Sequence, residues 1–253
     1  MKKHIYFALF VLLVSGCAKD AAYDDGAVGK SGSITRFAVF QHYMYVLNQN
    51  EIQTYDIQDK AHPALIHRLP TDYGLETITI YEGTVFVGST TALYLLDIST
   101  PAEPKILSKS DRVADIGFTG CDPVAVKGNY AYSTIKIIEN ACGFISAESA
   151  LVVYDVTDKT DPNVVGTYPL SMPNGLGYQG NYLFVCDEGT DQLEVFDISD
   201  PTAVKTTSYG YAITDPFDLI VDGQRLIVSS KTDFLILDIS DVAQIRKVGQ
   251  ITK

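Results

Sequence analysis

The sequence lacks tryptophan and has only four histidines among its 253 residues. His4 lies in the extreme N-terminus, and His42, His62 and His67 do not have the spacing of metal ligands. The chain also has no P-loop, GxSxG, HExxH or dinucleotide-binding motif. We therefore predict neither a zinc site nor a histidine-assisted nucleophile.

Basic residues are scarce, because 19 Lys and Arg face 31 Asp and Glu, which gives a net charge of −12. Binding to nucleic acid needs a basic stripe that neutralises phosphates, so no nucleic-acid partner is expected. Hydrophobic residues make up 46% and charged residues 20% of the chain, which is typical of a globular protein. No cofactor is predicted; a bound Ca²⁺ is the alternative that the acidic balance leaves open.

A ten-residue apolar run at residues 5–14 follows Lys2 and Lys3. It is too short for a permanent transmembrane helix and has the length of a signal-peptide core. The next residues, Val14-Ser15-Gly16-Cys17, resemble the lipobox of bacterial lipoproteins. That resemblance implies cleavage before Cys17 and acylation of its thiol, and the alternative is an ordinary signal peptide with a chance cysteine.

Residues 18–33 are small and acidic without any hydrophobic period, which predicts a flexible tether. Lys19-Asp20, two residues after the cysteine, is similar to the surface-export signal of Bacteroidetes lipoproteins. The alternative is a solvated spacer with the same composition. The predicted organisation is a signal peptide at residues 1–16, a lipidated cysteine and tether at 17–33, and a folded domain at 34–253. The expected location is the outer membrane, to which the lipid anchors the protein. Exposure on the cell surface is the additional expectation that the export signal raises.

A repeat organises the folded domain. An apolar strand ending in Asp-Ile or Asp-Val recurs with its aspartate at Asp56, Asp97, Asp155, Asp197 and Asp238, in steps of 41, 58, 42 and 41 residues. Each repeat contains four short apolar segments separated by turn residues, which predicts an antiparallel meander. Segments such as residues 151–154 are apolar without alternation, as expected for strands buried on both faces. The pattern predicts an all-β fold, a five-bladed β-propeller of four-stranded antiparallel blades.

Residues 193–201 read Leu-Glu-Val-Phe-Asp-Ile-Ser-Asp-Pro and resemble the LVIVD repeat of bacterial and archaeal surface proteins. The resemblance covers nearly all of residues 34–253 and implies a propeller without assigned chemistry. We interpret the recurrent aspartate as a turn-forming residue, because its carboxylate can accept turn amide protons and five copies around a ring cannot share one site. The ring closes either by contact between blades or by residues 31–35 adding an outer strand to the last blade.

The 58-residue step places an insertion in the third repeat, with its loop at residues 139–149. Cys142 lies in this loop, and Cys121 precedes the first strand of the same repeat, so both lie at the same end of one blade. Export to an oxidising compartment then predicts a Cys121–Cys142 disulfide. Three single pairs are possible, since Cys186 also remains; its apolar surroundings favour a buried free thiol.

The same end of the domain, where the loops between blades enter first strands, collects acidic and amide side chains. They form a candidate rim for a cation or a polyhydroxylated ligand, and the alternative is a merely solvated loop rim. The candidate rim residues are Glu76, Asp122, Asn174, Asp187, Asp215 and Asp218.

Three functions follow from these features. The favoured one is a non-catalytic binding or assembly module, with a protein or carbohydrate partner at the loop-bearing end. The alternative is a glycoside hydrolase acting on a polysaccharide, with Asp122 and Asp218, and then Glu76, as its axial carboxylates. The third is a purely structural lipoprotein.

Overall fold

The computed structural model describes residues 31–32, 34–90, 92–111, 119–120, 123–137 and 148–253. Its strands form five antiparallel sheets, which are the blades of a five-bladed propeller and confirm the predicted fold. The predicted four strands per blade are present in every repeat.

Each blade begins with its innermost strand and ends with its outermost one. Blade one contains β2 (Phe37–Phe40), β3 (Tyr43–Asn48), β4 (Glu51–Asp56) and β5 (Ala64–Pro70). Blade two contains β6 (Leu75–Tyr81), β7 (Thr84–Ser89), β8 (Ala92–Asp97) and β9 (Lys105–Asp111). Blade three contains β11 (Val124–Lys127), β12 (Tyr130–Ile137), β13 (Ala150–Asp155) and β14 (Asn163–Pro169), and a short β10 (Thr119–Gly120) pairs with the end of β12.

Blade four contains β15 (Pro173–Gln179), β16 (Tyr182–Asp187), β17 (Gln192–Asp197) and β18 (Lys205–Ala212). Blade five contains β19 (Pro216–Asp222), β20 (Arg225–Ser230), β21 (Asp233–Asp238) and β22 (Arg246–Thr252), with a 3₁₀ turn at Val242–Gln244. A two-residue strand, β1 (Ser31–Gly32), precedes blade one. We call the end of the blades where first strands begin the upper end, and the opposite end the lower end.

Buried side chains lie between successive blades. Every residue of β7 is buried, and β8 is buried up to its final aspartate, as expected for strands covered on both faces. Four hydrophobic clusters fill the spaces from blade one through blade five; in the last of them Phe184 and Val195 of blade four pack with Leu226 and Leu237 of blade five. Within the described ranges no such cluster joins blade five to blade one. Among the described residues, the seam between blades five and one therefore lacks a hydrophobic core of buried side chains.

The recurrent aspartates form turns at the lower end. In each repeat one carboxylate oxygen accepts the backbone N–H two residues further on, at 2.7–3.0 Å. The aspartates are Asp56, Asp97, Asp155, Asp197 and Asp238. This geometry confirms the predicted turn-forming role.

The N-terminal strand lies among first strands, near the propeller axis. β1 pairs antiparallel with β15, with Ser31 opposite Gly177 and Gly32 opposite Leu176. Since β15 runs from the upper end to the lower end, β1 runs upward. The alternative in which residues 31–35 extend the last blade is wrong, because the outermost strand of blade five is β22 and β1 belongs to the sheet of blade four.

The third repeat departs from the others as predicted, because β12 continues to Ile137. Cys186 is fully buried and free, as predicted for that thiol. Cys17, Cys121, Cys142 and residues 138–147 lie outside the described residues, so lipidation and the disulfide stay predictions. Within the ranges described above, no helix has the length and apolar character needed to cross a membrane.

Candidate functional site

A polar cluster joins blades three, four and five at the upper end. Lys136 Nζ donates to Glu188 Oε2 at 2.7 Å and to Asn174 Oδ1 at 3.2 Å. Asn174 Nδ2 donates to the same Glu188 oxygen at 3.1 Å and to the carbonyl of Pro216 at 3.2 Å. We call Lys136, Asn174 and Glu188 the inter-blade cluster. It fixes three blades relative to one another by charge-assisted hydrogen bonds.

Burial within the cluster is uneven. Asn174 is buried, whereas the side chain of Glu188 is 34% exposed and that of Lys136 is 12% exposed. Hydrogen bonds from Lys136 and then from Asn174 lower the pKa of the Glu188 carboxyl below its usual value. Glu188 is therefore held as a carboxylate with one side directed to solvent.

A cavity of about 300 Å³ opens beside Glu188 at the boundary of blades four and five. Its lining residues carry both signs of charge and one aromatic ring: Glu188, Asp215, Phe217, Ser230, Lys231 and Lys253. Lys231 Nζ lies 3.7 Å from an Asp215 carboxylate oxygen, and both side chains are solvent-accessible. Such a lining suits a polar ligand or a partner loop with hydrogen-bonding groups.

Asp187, a predicted rim residue, is buried and faces the protein interior. Its carboxylate accepts the backbone N–H groups of Ser171 and Met172 at 2.8 Å each and that of Gly189 at 3.1 Å. These bonds tie the connection between blades three and four to the end of β16. The structure gives Asp187 a structural role and removes it from the rim.

We call residues 31–32 and 34–35, which lie near the propeller axis, the axial segment. Asp218 lies where this segment meets blades four and five. Its carboxylate accepts the Ile34 N–H at 3.3 Å and the Leu219 N–H at 2.9 Å. Gly175 of blade four approaches it closely, since a Cβ on that glycine would lie 2.3 Å from Asp218 Oδ1. This carboxylate therefore contacts the protein on several sides.

The other rim candidates lie apart. Asp215 has a left-handed backbone with φ of 48°, and its N–H donates to Asp191 Oδ1 at 2.8 Å. Glu76 is half-buried on β6 of blade two and does not line the cavity. Asp122 lies outside the described residues. Among the residues that the structure describes, no three Asp, Glu, His or Cys side chains gather as metal ligands would.

Two lysines of this region were not predicted from the sequence. Lys136 stands between Ile135 and Ile137, and a lone lysine inside an apolar strand was the available signal for a buried polar contact. Lys253 reaches the cavity because β22 returns to the upper end. The Lys253 Nζ donates there to Ser229 Oγ at 3.0 Å. No sequence pattern marks that contact.

The sequence profile of the LVIVD repeat matches residues 31–71, 76–111, 121–135 and 176–207. The matched segments cover repeats one and two, the first part of repeat three and most of repeat four. No curated protein matches the chain.

Solved structures with the same fold are distant in sequence. A functionally unknown protein from Desulfotomaculum acetoxidans is 10% identical, with a TM-score of 0.67, over 90% of this chain and 71% of that one. A protein provisionally described as a 6-phosphogluconolactonase from Bacteroides uniformis is 11% identical, with a TM-score of 0.67, over 85% and 70%. The periplasmic gluconolactonase PpgL of Pseudomonas aeruginosa is 14% identical, with a TM-score of 0.61, over 85% and 70%. At these identities the likeness establishes the fold alone.

Proposed function

The chain contains LVIVD repeats, and on that premise we propose that it is a lipid-anchored envelope protein whose propeller is a non-catalytic binding module. Its upper end receives the partner, a protein segment or a carbohydrate. The observation that carries this proposal is how the carboxylates are used: the predicted candidates Asp187 and Asp218, and the neighbouring Glu188, each accept hydrogen bonds from groups of the protein itself.

The axial segment supports a binding role over an axial hydrolase. Thr35 and Ile78 exchange hydrogen bonds, with the Ile78 N–H donating to the Thr35 carbonyl at 3.1 Å and the Thr35 hydroxyl donating to the Ile78 carbonyl at 3.4 Å. Residues 31–32 and 34–35 thus contact first strands of blades two, four and five. A glycoside hydrolase needs two carboxylates with room for substrate between them. Here the Ile34 N–H occupies the carboxylate of Asp218, one of the two described axial candidates.

The inter-blade cluster and the neighbouring cavity offer what a binding site needs. Lys136 and Asn174 hold Glu188 in one orientation, so its partly exposed carboxylate is preorganised to accept a further hydrogen bond. Lys231 supplies an exposed cation, and Phe217 supplies a half-exposed ring. Together they suit a ligand with hydroxyl, amide or charged groups.

The direction of β1 supports an outward-facing upper end. Because β1 runs upward, Ser31 lies on the lower-end side of Gly32, and the aspartate turns lie at that end. A lipid on Cys17 would therefore hold the lower end toward the membrane. The cavity at the upper end would then point away from the bilayer.

A lactonase-like activity is the second candidate, favoured only by the names of two fold relatives. It would need groups of this chain that activate water beside a bound lactone. The exposed Glu188 oxygen is the available base, but its lowered pKa makes it a weak one.

Site-specific photo-crosslinking in intact cells tests the binding role. We expect p-benzoylphenylalanine in place of Lys231, at the upper end, to give a discrete adduct in the full-length lipoprotein. The same probe in place of Lys60, exposed at the lower end, serves as the matched control. Deletion of residues 139–149 should weaken the adduct if the inserted loop contributes. Adducts at position 60 and none at position 231 would contradict the proposal.

A turnover assay and a labelling assay test the other parts. Incubation of the purified chain with glucono-δ-lactone and with p-nitrophenyl glycosides should give no hydrolysis above background; turnover abolished by Glu188→Gln or Asp218→Asn would make the protein an enzyme. Radioactive palmitate should label the wild-type chain in cells and leave Cys17→Ala unlabelled. Equal labelling of both would refute the lipid anchor.

A further inference from the structure

The inter-blade cluster places an amine, a carboxamide and a carboxylate in mutual contact. Glu188 Oε2 accepts from Lys136 Nζ at 2.7 Å and from Asn174 Nδ2 at 3.1 Å. Lys136 Nζ also donates to Asn174 Oδ1 at 3.2 Å. One carboxylate oxygen therefore contacts both a nucleophilic nitrogen and the nitrogen of the amide beside it. A carboxylate in that position can move protons between an attacking and a leaving nitrogen.

The carboxamide of Asn174 is held in one orientation. Its Nδ2 also donates to the Pro216 carbonyl at 3.2 Å, and the residue is buried. Its backbone carbonyl accepts the Thr134 hydroxyl at 2.8 Å, and Thr134 precedes Lys136 by two residues on β12. Nζ therefore needs only a short movement of the lysine stem to pass from Oδ1 to the adjoining Cγ. Groups held in this way can react as if one were present at a concentration of about 10⁵–10⁸ M.

We propose that Lys136 and Asn174 join in an intramolecular isopeptide bond, with Glu188 as the proton carrier. A proton passes from the Lys136 ammonium to Glu188, and the neutral Nζ attacks Asn174 Cγ. The Nζ–Cγ bond forms and the Cγ–Nδ2 bond breaks, and Nδ2 leaves as ammonia with the proton that Glu188 returns. The surplus proton on Nζ then passes through Glu188 to the ammonia. The products are an amide, an ammonium ion and the original carboxylate, and the step consumes no other reactant.

The surroundings of Glu188 set the rate of this reaction. Hydrogen bonds from Lys136 and then from Asn174 lower the pKa of the Glu188 carboxyl, so proton transfer to it is uphill and the bond forms slowly. Each molecule needs to react only once, so a slow reaction still goes to completion. The Glu188 side chain is partly exposed, which gives the ammonia a path to solvent and prevents the reverse reaction.

The bond would join β12 of blade three to β15 of blade four, between residues 38 apart in the chain. It would clamp the strand from which the inserted residues of the third repeat depart, and a thiol reductant would not open it. The new amide keeps one N–H for Glu188, so the carboxylate stays oriented for the proposed ligand. The bond forms without a ligand and does not depend on the proposed binding role.

A second lysine–asparagine pair joins the same two blades at the lower end. Lys127 Nζ donates to Asn181 Oδ1 at 3.0 Å and to the Gly180 carbonyl at 2.7 Å. Among the described residues, no carboxylate accepts a hydrogen bond from either side chain of this pair. The pair is the matched control within the chain: its atoms are as close, but it should not react, because no group carries the proton.

Peptide mass mapping of the full chain detects the bond. The chain is reduced, alkylated and digested with trypsin, which cannot cut after an acylated lysine. We expect residues 128–159 to remain one peptide, joined to residues 160–205, with the mass of one ammonia molecule missing. Trypsin should cut normally after Lys127, and Lys136→Arg should abolish the branched peptide. Glu188→Gln should slow its appearance at neutral pH by about a hundredfold or more.

The same digest contains the results that would overturn the proposal. A cyclic imide of Asn174 and Gly175 would lose the same mass, but trypsin would still cut after Lys136 and the loss would persist in Lys136→Arg. That result, or an unmodified wild-type chain after prolonged incubation at neutral pH, would refute the bond. An equal bond between Lys127 and Asn181 would refute the role of Glu188. Photo-crosslinking at position 231 reports on the binding role separately, so the two proposals can fail independently.

Discussion

The Asp187 carboxylate offers a direct test of how the connection between blades is held. It is 1% exposed and accepts three backbone N–H groups, from Ser171, Met172 and Gly189. Asp187→Asn keeps the size of the side chain but removes the charge and converts one acceptor oxygen into a donor. At least one buried N–H then faces an NH₂ group, and the remaining bonds lose their charge assistance.

The expected cost can be worked from these contacts. A hydrogen bond to a charged group contributes about 1.5–3 kcal/mol, and an unsatisfied buried donor costs about 1–3 kcal/mol. The sum for Asp187→Asn is about 3 kcal/mol, since the bonds share one carboxylate and do not add fully. That corresponds to roughly a hundredfold shift of the folding equilibrium. For a domain of this size it lowers the melting temperature by about 6–12 °C.

Urea denaturation followed by circular dichroism measures the effect. Asp200→Asn is the matched control, because Asp200 also accepts an N–H, that of Thr202 at 3.0 Å, but lies exposed in a lower-end turn. Water can replace the lost partner there, so the midpoint should move far less. If Asp187→Asn unfolded at the wild-type urea concentration, the structural role assigned to this carboxylate would be wrong.

Three further changes test other contacts. The pKa of Glu188 is lowered in the folded state from its ordinary value of 4.5, so its contribution to stability is complete above pH 4.5 and is lost as the pH falls through the lowered pKa. Glu188→Gln should therefore flatten the acid limb of a curve of unfolding free energy against pH. An unchanged acid limb would argue against the Lys136 contact. Burial raises the pKa of the Cys186 thiol, so iodoacetamide should modify it only after unfolding, as peptide mass mapping would show; rapid native labelling would contradict the burial. Gly175→Ala should destabilise the protein by about 1–3 kcal/mol, because the added Cβ would lie 2.7 Å from the Asp218 backbone. Gly249→Ala is the matched control, because its nearest contact is the movable Ile236 methyl at 3.2 Å. It should lower the free energy of unfolding less in the same urea assay.

Predicted and observed site residues differ for a physical reason. Asn174, Asp215 and Asp218 come from segments around the first strands of their blades, and Asp187 ends the second strand of blade four at the same upper end. The repeat does not specify which of them faces solvent, because that depends on the packing of the neighbouring blade. Asp187 turned inward to three amides, whereas Glu188, one residue later, turned outward to Lys136.

The sequence by itself determined the strands, the number of blades, the aspartate turns and the buried state of Cys186. These properties are local: alternation and apolar runs select strands, and an Asx carboxylate reaches an amide only two residues away. The tertiary structure alone decided the pairing of Lys136 with Glu188, 52 residues apart, and the upward course of β1 beside β15. Those features depend on how blades lie against one another around the axis. Because the repeat sequence is similar in every blade, it does not specify how one blade is oriented against the next.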